Sequence, residues 1–202
     1  ARTIALTEPL CVSMHAVERA GVKETDTVLV MGCGMIGTGV ILGCLQKGAR
    51  VIALDTHVDK LTRVSAFGPV HTILADDEKE ASQIAELTNE KGPDVVFEAA
   101  GSIATYEKAL SFASYGGKIV TIGYAAEKIR WDSSLIVRKE LNILGSRNAL
   151  NEFPKVVEML EKKSFDMDLL ISGTYPFRDT PSAFAYWDQH PDKVMKLLIE
   201  LT

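Results

Sequence analysis

Short apolar runs alternate with longer amphipathic stretches from residue 26 onward, and this alternation predicts the fold. Most of the runs are continuously apolar, which is typical of parallel strands covered on both faces. The stretches between them, 35–47, 58–67, 78–91 and 102–114, suit crossover helices. Strand–helix–strand units of this kind are right-handed. We therefore predict an α/β fold, a doubly wound parallel six-stranded sheet, with strands over 27–31, 50–54, 71–74, 94–98, 118–122 and 141–144.

The two ends of the chain do not continue this alternation of strands and helices. A helix over 9–21, capped by Thr7, is predicted within a lead-in of residues 1–24. No repeat or flexible linker divides the chain, so we expect a single domain over residues 1–202, with its core over 25–146. The remaining residues, 147–202, form a predicted extension with helices over 151–163 and 180–189, an extended stretch over 172–177 and a strand over 194–201.

Composition excludes several classes of protein. The chain has 202 residues, 47% of them hydrophobic and 24% charged, as in an ordinary globular protein rather than a disordered one. A net charge of −5 with dispersed Lys and Arg argues against a nucleic-acid partner. No apolar run approaches the ~20 residues of a membrane span, so no membrane association is expected. Cys11, Cys33 and Cys44 lack CxxC spacing, which indicates neither disulfides nor a zinc knuckle and favours a cytoplasmic setting.

The segment 32–37 (GCGMIG) carries the clearest chemical signal. It is GxGxxG between a predicted strand and a predicted helix, the context in which this motif binds a dinucleotide. Gly32 would make the tight turn, Gly34 would let backbone approach a pyrophosphate, and Gly37 would let the helix lie close to the strand. The phosphates would then meet unpaired N–H groups at the positive end of the helix dipole. A tight turn that binds no ligand is the alternative.

Asp55 ends the next predicted strand, 18 residues after Gly37, and it bears on the choice of cofactor. Its carboxylate can accept hydrogen bonds from the adenosine ribose hydroxyls of NAD. A 2′-phosphate there would meet a like charge at roughly 4 Å, which costs up to ~4 kcal/mol at an effective dielectric near 20. No arginine follows to offset that cost, so NAD is predicted over NADP. Lys60 would reach the ribose; the alternatives are a surface charge for Lys60 and a plain turn residue for Asp55.

A related pattern occurs in another class of enzyme. Methyltransferases that use S-adenosylmethionine also carry a Leu-x-x-Gly-Cys-Gly string and an acid at the end of the second strand. They usually have an acidic residue two positions before the first glycine and a third glycine at GxGxG spacing. This chain has Val30 and Ile36 at those positions. The dinucleotide interpretation is therefore favoured, with the methyltransferase as an alternative.

Further segments accompany the glycine motif in order along nearly the whole chain. They are 7–10 (TEPL), 15–17 (HAV), 26–30 (DTVLV), 48–52 (GARVI), 94–101 (DVVFEAAG), 116–120 (GGKIV) and 139–147 (KELNILGSR). Their order and spacing resemble the zinc-dependent medium-chain dehydrogenase/reductase family, the zinc-containing alcohol dehydrogenases, and within it the sorbitol, threonine and sugar-acid dehydrogenase branch. The resemblance implies a Rossmann NAD-binding fold.

The resemblance also implies roles for matching positions. Ile36 would pack near the nicotinamide, and Asp55 and Lys60 would hold the ribose. Arg147 would additionally reach the substrate and a zinc-bound water, unless it is a surface arginine. The full set of implied cofactor-binding residues is Gly32, Gly34, Met35, Ile36, Gly37, Asp55, Lys60, Ala100, Gly101, Ile122, Gly123, Tyr124, Ser146 and Arg147.

Glu8 resembles the glutamate beside the catalytic zinc in this branch, although an acid in a first helical turn is also favoured by the helix dipole. Glu8, Cys11 and His15 share one helix face, but nothing supplies a fourth ligand, so no metal is predicted within the chain. In the family the zinc ligands come from an N-terminal domain that has no counterpart here. Because the chain begins at Ala1 rather than Met, we expect a fragment.

The resemblance therefore implies the NAD-binding domain of a zinc-type alcohol or polyol dehydrogenase. Such an enzyme transfers hydride between a secondary alcohol, here a polyol or sugar acid, and NAD, with zinc polarising the alcohol. Glu8 and Arg147 are the candidate catalytic residues, and the chain alone is expected to be inactive. A homo-oligomer is expected, with residues 147–202 leaning on the absent domain. A stand-alone NAD-responsive binding module is the alternative.

Overall fold

The six predicted strands form, each within one residue of its predicted bounds. The computed structural model describes residues 2–76 and 78–201. The strands are all parallel and lie in the order β3-β2-β1-β4-β5-β6. The predicted doubly wound α/β sheet is therefore confirmed. Its members are β1 (Thr27–Met31), β2 (Arg50–Asp55), β3 (Val70–Leu74), β4 (Val95–Glu98), β5 (Lys118–Thr121) and β6 (Asn142–Gly145).

Helices cover both faces of this sheet. Four of them follow strands β1 to β4, as predicted, and a fifth between β5 and β6 was not predicted. In chain order the helices are α1 (Thr7–Ala20), α2 (Met35–Gln46), α3 (Val58–Ser65), α4 (Glu80–Leu87), α5 (Ile103–Phe112), α6 (Ser133–Lys139), α7 (Phe153–Lys162) and α8 (Thr180–Gln189). Among the described residues, none of the helices is long and apolar enough to cross a bilayer.

Burial on both faces explains why the strands are continuously apolar. In β1, Val28 and Val30 pack into one hydrophobic cluster, and Leu29 and Met31 pack into the cluster on the opposite face. All four side chains are fully buried. A polar residue at any of these positions would lose its hydration without gaining a partner. The absence of polar alternation in the sequence thus reflects a sheet with helices on either side.

The lead-in helix differs from its prediction at its start. Helix α1 begins at Thr7, so Thr7 lies within the first turn and the residue that precedes the helix is Leu6. The Thr7 hydroxyl donates to the carbonyl of Ile4 at 2.7 Å, within a 3-10 helix over Arg2–Leu6. The prediction that Thr7 caps the helix is therefore wrong, because the preceding 3-10 turn supplies the entry into α1 instead.

The C-terminal extension packs on the same side as α1. Val156 and Met159 of α7 share a buried cluster with Leu10 and Met14 of α1. Two short parallel strands follow, β7 (Gly173–Pro176) and β8 (Leu197–Glu200), and they form a separate two-stranded sheet. The strand predicted over 194–201 is thus shorter than expected, since residues 191–193 form a turn and Met195 lies in a bend.

The strand order reverses between β1 and β4, which are neighbours in the sheet. From β1 the chain crosses to β2 on one side, whereas β4 continues to β5 on the other. At such a switch point the loops leaving the two strands diverge, and a crevice opens at the carboxyl ends of the strands. The glycine motif follows β1 directly, so the fold places it at the edge of this crevice.

Candidate cofactor site

The glycine motif forms a tight turn between β1 and α2. Gly32 has a positive φ of 96°, a conformation that other residues rarely adopt. A Cβ added to Gly32 would lie 2.9 Å from the backbone nitrogen of Ala100. A Cβ on Gly37 would overlap the carbonyl oxygen of Gly32. Both positions therefore require glycine for the packing of this turn, whether or not a ligand is bound.

Gly34 differs from its two neighbours in the motif. It precedes helix α2 with φ −71° and ψ −171°, an extended conformation open to any residue. A Cβ added there would have no atom within 4 Å. The protein itself therefore does not require a glycine at Gly34. Open space in front of a backbone amide is what the approach of a pyrophosphate needs.

The first turn of α2 presents backbone donors toward the same space. The first hydrogen bond of the helix runs from Thr38 N to Gly34 O at 2.8 Å, so the amides of Met35, Ile36 and Gly37 have no partner within the helix. Ser13 of α1 fixes this turn, because its hydroxyl donates to the carbonyl of Ile36 at 2.8 Å. The arrangement can hold an anion.

Asp55 ends β2 beside the glycine turn, and the residue is only 9% exposed. Its Oδ2 accepts from the backbone nitrogen of Cys33 at 2.7 Å, and its Oδ1 accepts from the backbone nitrogen of His57 at 2.9 Å. The carboxylate thus ties the glycine turn to the end of β2. Each carboxylate oxygen can accept two hydrogen bonds, so Oδ2 keeps capacity for a ligand hydroxyl. Burial raises the pKa of the neighbouring Cys33 thiol; Asp55 adds to this shift and the Lys60 ammonium opposes it.

Two cavities open at the carboxyl ends of the strands. The first has a volume of about 530 Å³ and contains Gly32, Asp55 and Ala100 from the predicted set. Its remaining wall includes Glu80 and Lys108, whose side chains form an ion pair at 2.5 Å. Glu80 is 2% exposed, and the sequence patterns did not single it out.

The second cavity has a volume of about 410 Å³. It brings together five predicted residues from two separate loops, namely Ile122, Gly123, Tyr124, Ser146 and Arg147. Tyr124 is 80% exposed at its mouth. These loops follow β5 and β6, so the second cavity lies along the same strand ends as the first.

Glu98 is a buried carboxyl that the sequence analysis did not assign to the site. Its Oε1 accepts from the backbone nitrogens of Ala100 at 3.1 Å and Gly101 at 2.7 Å, and from Thr105 Oγ1 at 2.8 Å. Burial raises the pKa of Glu98, and these hydrogen bonds oppose the shift. Burial also raises the pKa of Tyr106, and the Glu98 carboxylate adds to it. The sequence feature that could have pointed to Glu98 is an acidic residue at the end of an otherwise apolar strand, β4.

The remaining predicted residues line neither cavity, namely Glu8, Gly34, Met35, Ile36, Gly37, Lys60 and Gly101. Glu8 is exposed in the first turn of α1, while Cys11 is buried and His15 is half-buried. Burial raises the pKa of Cys11, and Glu152 and Glu8 add to the shift. In residues 2–76 and 78–201, no three His, Cys, Asp or Glu side chains form a group that could hold a metal ion.

Comparison with known proteins identifies the family. A sequence profile described as zinc-binding dehydrogenase matches residues 36–162, which is more than half of the chain. The chain belongs to the zinc-binding dehydrogenase family. An uncharacterized zinc-type alcohol dehydrogenase-like protein of Haemophilus influenzae is 30% identical over 95% of the chain and 56% of its own length. The erythritol/L-threitol dehydrogenase of Mycolicibacterium smegmatis is 35% identical over 89% of the chain and 50% of its own length.

Solved structures of two dehydrogenases have the same fold. An alcohol dehydrogenase from Escherichia coli CFT073, complexed with NADH, superposes with a TM-score of 0.91 at 25% identity, over 100% of this chain and 60% of that one. A zinc-binding dehydrogenase from Sinorhizobium meliloti 1021, bound to NADP, gives a TM-score of 0.85 at 26% identity over 91% and 55%. The chain spans about half the length of the curated relatives that it matches.

Proposed function

We propose that this chain is the NAD-binding domain of a zinc-type alcohol or polyol dehydrogenase. One observation carries the proposal: Gly34 is the motif glycine that the protein does not need for its own packing, and open space lies in front of it. A glycine at that position is explained by a phosphate that approaches the backbone. The structural neighbours include both an NADH and an NADP complex, so the choice of cofactor must be argued from this chain's own residues.

Asp55 supports NAD as that cofactor. Its carboxylate lies in the wall of the first cavity and retains capacity to accept a hydrogen bond from a ribose hydroxyl. A 2′-phosphate would meet this buried carboxylate at a cost of up to ~4 kcal/mol at an effective dielectric near 20. We therefore propose that the adenosine half binds in the first cavity, with Lys60 near the ribose, and that the chain prefers NAD to NADP.

The remaining predicted residues divide between the pyrophosphate and the nicotinamide. The amides of Gly34, Met35, Ile36 and Gly37 would face the pyrophosphate, and Ala100 and Gly101 would line the groove. The second cavity would receive the nicotinamide, whose carboxamide needs the backbone donors and acceptors offered by Ile122, Gly123, Tyr124, Ser146 and Arg147. Bound NAD supplies the hydride acceptor, and the residues of this chain bind and orient it.

The described residues of this chain do not fit a zinc ion, because no group of suitable ligands is brought together. We propose that the zinc ligands belong to a part of the enzyme outside this chain. Arg147 is exposed at the second cavity and would contact the substrate, and Glu8 would approach the metal site from α1. The polyol or sugar-acid substrate is proposed from the relatives, one of which is an erythritol/L-threitol dehydrogenase.

We further propose that the C-terminal extension contacts other protein, either the remaining part of the enzyme or a second copy. Phe177, Phe184 and Trp187 are large apolar side chains that are exposed in α8 or just before it, and exposed apolar surface is typical of an interaction site. The three cysteines are free and buried, which supports a reducing compartment, the cytoplasm.

Calorimetric titration with NAD, NADP and S-adenosylmethionine tests the proposed function. We expect NAD to bind, NADP to bind at least ~10-fold more weakly because of Asp55, and S-adenosylmethionine not to bind. Binding of S-adenosylmethionine alone would replace the proposal with a methyltransferase. A preference for NADP would overturn the role of Asp55.

A further inference from the structure

Glu98 contacts residues that line each of the two cavities. It is the last residue of β4 and is fully buried in the middle of the sheet. The three donors to its Oε1 come from the backbone of Ala100 and Gly101 and from the hydroxyl of Thr105. Ala100 and Thr105 both line the first cavity. The carboxyl of Glu98 therefore holds the turn after β4 against the start of α5, on the side of the first cavity.

The same residue also holds the turn after β5. Its backbone carbonyl accepts from Ile122 N at 2.9 Å and from Gly123 N at 3.0 Å. A Cβ added to Gly123 would lie 2.8 Å from Glu98 Oε2 and even closer to Gly101 N. Tyr106 closes the other side of this turn, since its hydroxyl donates to Gly123 O at 2.5 Å. Gly123 lines the second cavity, so one residue contacts the walls of both.

The carboxyl at this position is costly for the fold. Within the part of the chain that the structure describes, Glu98 Oε2 is buried and has no hydrogen-bond partner. An unpaired buried oxygen destabilises a protein, and burial raises the pKa of Glu98 accordingly. An apolar side chain would avoid this cost but could not accept from the three donors, and an aspartate would keep the cost while withdrawing its carboxyl from them. A glutamate is long enough to place its carboxyl against the three donors, and its side chain thereby sets the spacing of the two turns.

We propose that Glu98 is a positioning residue for the dinucleotide. It sets the spacing between the turn of residues 99–102 and the turn of residues 122–124 without touching the cofactor. The nicotinamide half depends on this spacing, because Gly123 forms part of the second cavity alone. The adenosine half depends on it less, because Asp55 of β2, Ala75 after β3 and Glu80 of α4 also build the first cavity. The inference rests on the proposed function, in which the two halves of NAD occupy these two cavities.

The test compares the binding of NAD with the binding of AMP, which has only the adenosine half. Glu98→Asp withdraws the carboxyl by one methylene, whereas Glu98→Gln keeps the length and an acceptor for the three donors. We expect Glu98→Asp to weaken NAD binding by ~10-fold or more, and AMP binding by less than ~3-fold. Glu98→Gln is expected to restore NAD binding to within ~3-fold of the wild-type protein. Calorimetry measures all of these affinities.

Glu152→Gln is the matched control. Glu152 is also a buried carboxyl, it pairs with Lys155, and it lies outside the walls of both cavities. The control should bind both ligands as the wild-type protein does. Where Glu98→Asp does not fold, Thr105→Val removes the side-chain donor to Glu98 Oε1 and should show the same selective loss of NAD. Thr105 lines the first cavity, so a direct effect of this substitution on the ligand would weaken AMP binding as well.

Equal losses of NAD and AMP, or an unchanged NAD affinity in Glu98→Asp, would overturn the positioning role. So would a Glu98→Gln protein as weak as Glu98→Asp, because the isosteric acceptor would then fail to rescue. If the wild-type protein binds AMP but not NAD, or neither ligand, the proposed function itself fails. The wild-type titration therefore separates that failure from a failure of the Glu98 proposal.

Discussion

The glycine motif allows the packing role and the ligand role of individual residues to be separated by two single-methyl substitutions. Gly37→Ala places a Cβ onto the carbonyl oxygen of Gly32, a backbone atom that cannot rotate away. Gly34→Ala places a Cβ where no protein atom lies within 4 Å. The added methyl group thus overlaps a backbone atom in Gly37→Ala and projects into open space in Gly34→Ala.

The magnitudes follow from this difference. Overpacking against an immobile neighbour costs about 3 kcal/mol at the upper end of the usual range, so Gly37→Ala should lower Tm by roughly 6–12 °C in a domain of this size. Gly34→Ala loses a favourable residue before a helix but gains from a less flexible unfolded chain, and the two effects offset each other to within ~1 kcal/mol. Its methyl group would stand between the backbone and the pyrophosphate, however, and NAD affinity should fall by roughly 10–100-fold.

Thermal unfolding and calorimetric NAD titration of both variants measure these effects, and each variant serves as the control for the other. A Gly34→Ala protein that binds NAD as tightly as the wild-type protein would refute the assignment of the pyrophosphate to the start of α2. A Gly37→Ala protein of unchanged Tm would refute the packing argument for the turn.

Three further predictions concern other residues. Asp55→Asn should shift the NAD/NADP affinity ratio toward NADP by at least ~10-fold, since the charge that repels the 2′-phosphate is lost; competitive calorimetry measures this ratio, and an unchanged ratio contradicts it. Lys139 donates to the carbonyls of Leu110, Ser111 and Ala113 at the end of α5. Lys139→Met should therefore lower the free energy of unfolding in urea by about 2 kcal/mol without changing NAD affinity. Burial raises the pKa of Glu98 in the folded state above its value of 4.5 in the unfolded chain. Protonation of Glu98 therefore stabilises the folded protein fully below pH 4.5, and this stabilisation is lost as pH rises through the folded-state pKa. Glu98→Gln should lack this decline, so its stability relative to the wild-type protein should rise with pH above 4.5; parallel urea denaturation at several pH values would refute this by showing a constant difference.

Hydrophobic patterning predicts those elements whose burial is strong and continuous. Strands such as β1 are apolar throughout because helices cover both of their faces, and their bounds were predicted to within one residue. Helix α6 was not predicted for the opposite reason. None of its seven residues is buried, so no apolar stripe marks it. The wrong prediction that Thr7 caps α1 has another cause. The 3-10 turn before α1 leaves no periodic pattern in the sequence, yet it determines where the helix begins.

Part of the candidate site could likewise be predicted from the sequence and part could not. Gly32 and Gly37 were predicted because the turn itself demands glycine, and that demand is local in sequence. The contacts of Glu98 were not predicted from the sequence. They join the ends of β4 and β5 with the start of α5, and only the folded sheet brings these three segments together. The Glu80–Lys108 ion pair in the wall of the first cavity is likewise a product of tertiary structure, since its partners are 28 positions apart in the sequence.

The most direct test of NAD binding at the β1–β4 crevice is a titration of the ¹⁵N-labelled chain with NAD, followed through its backbone amide resonances. The largest shifts should occur at Gly34, Met35, Ile36 and Gly37, with further changes in the loops that follow β2 and β5. Saturation with NAD that leaves the amides of residues 34–37 unchanged would contradict the proposed site.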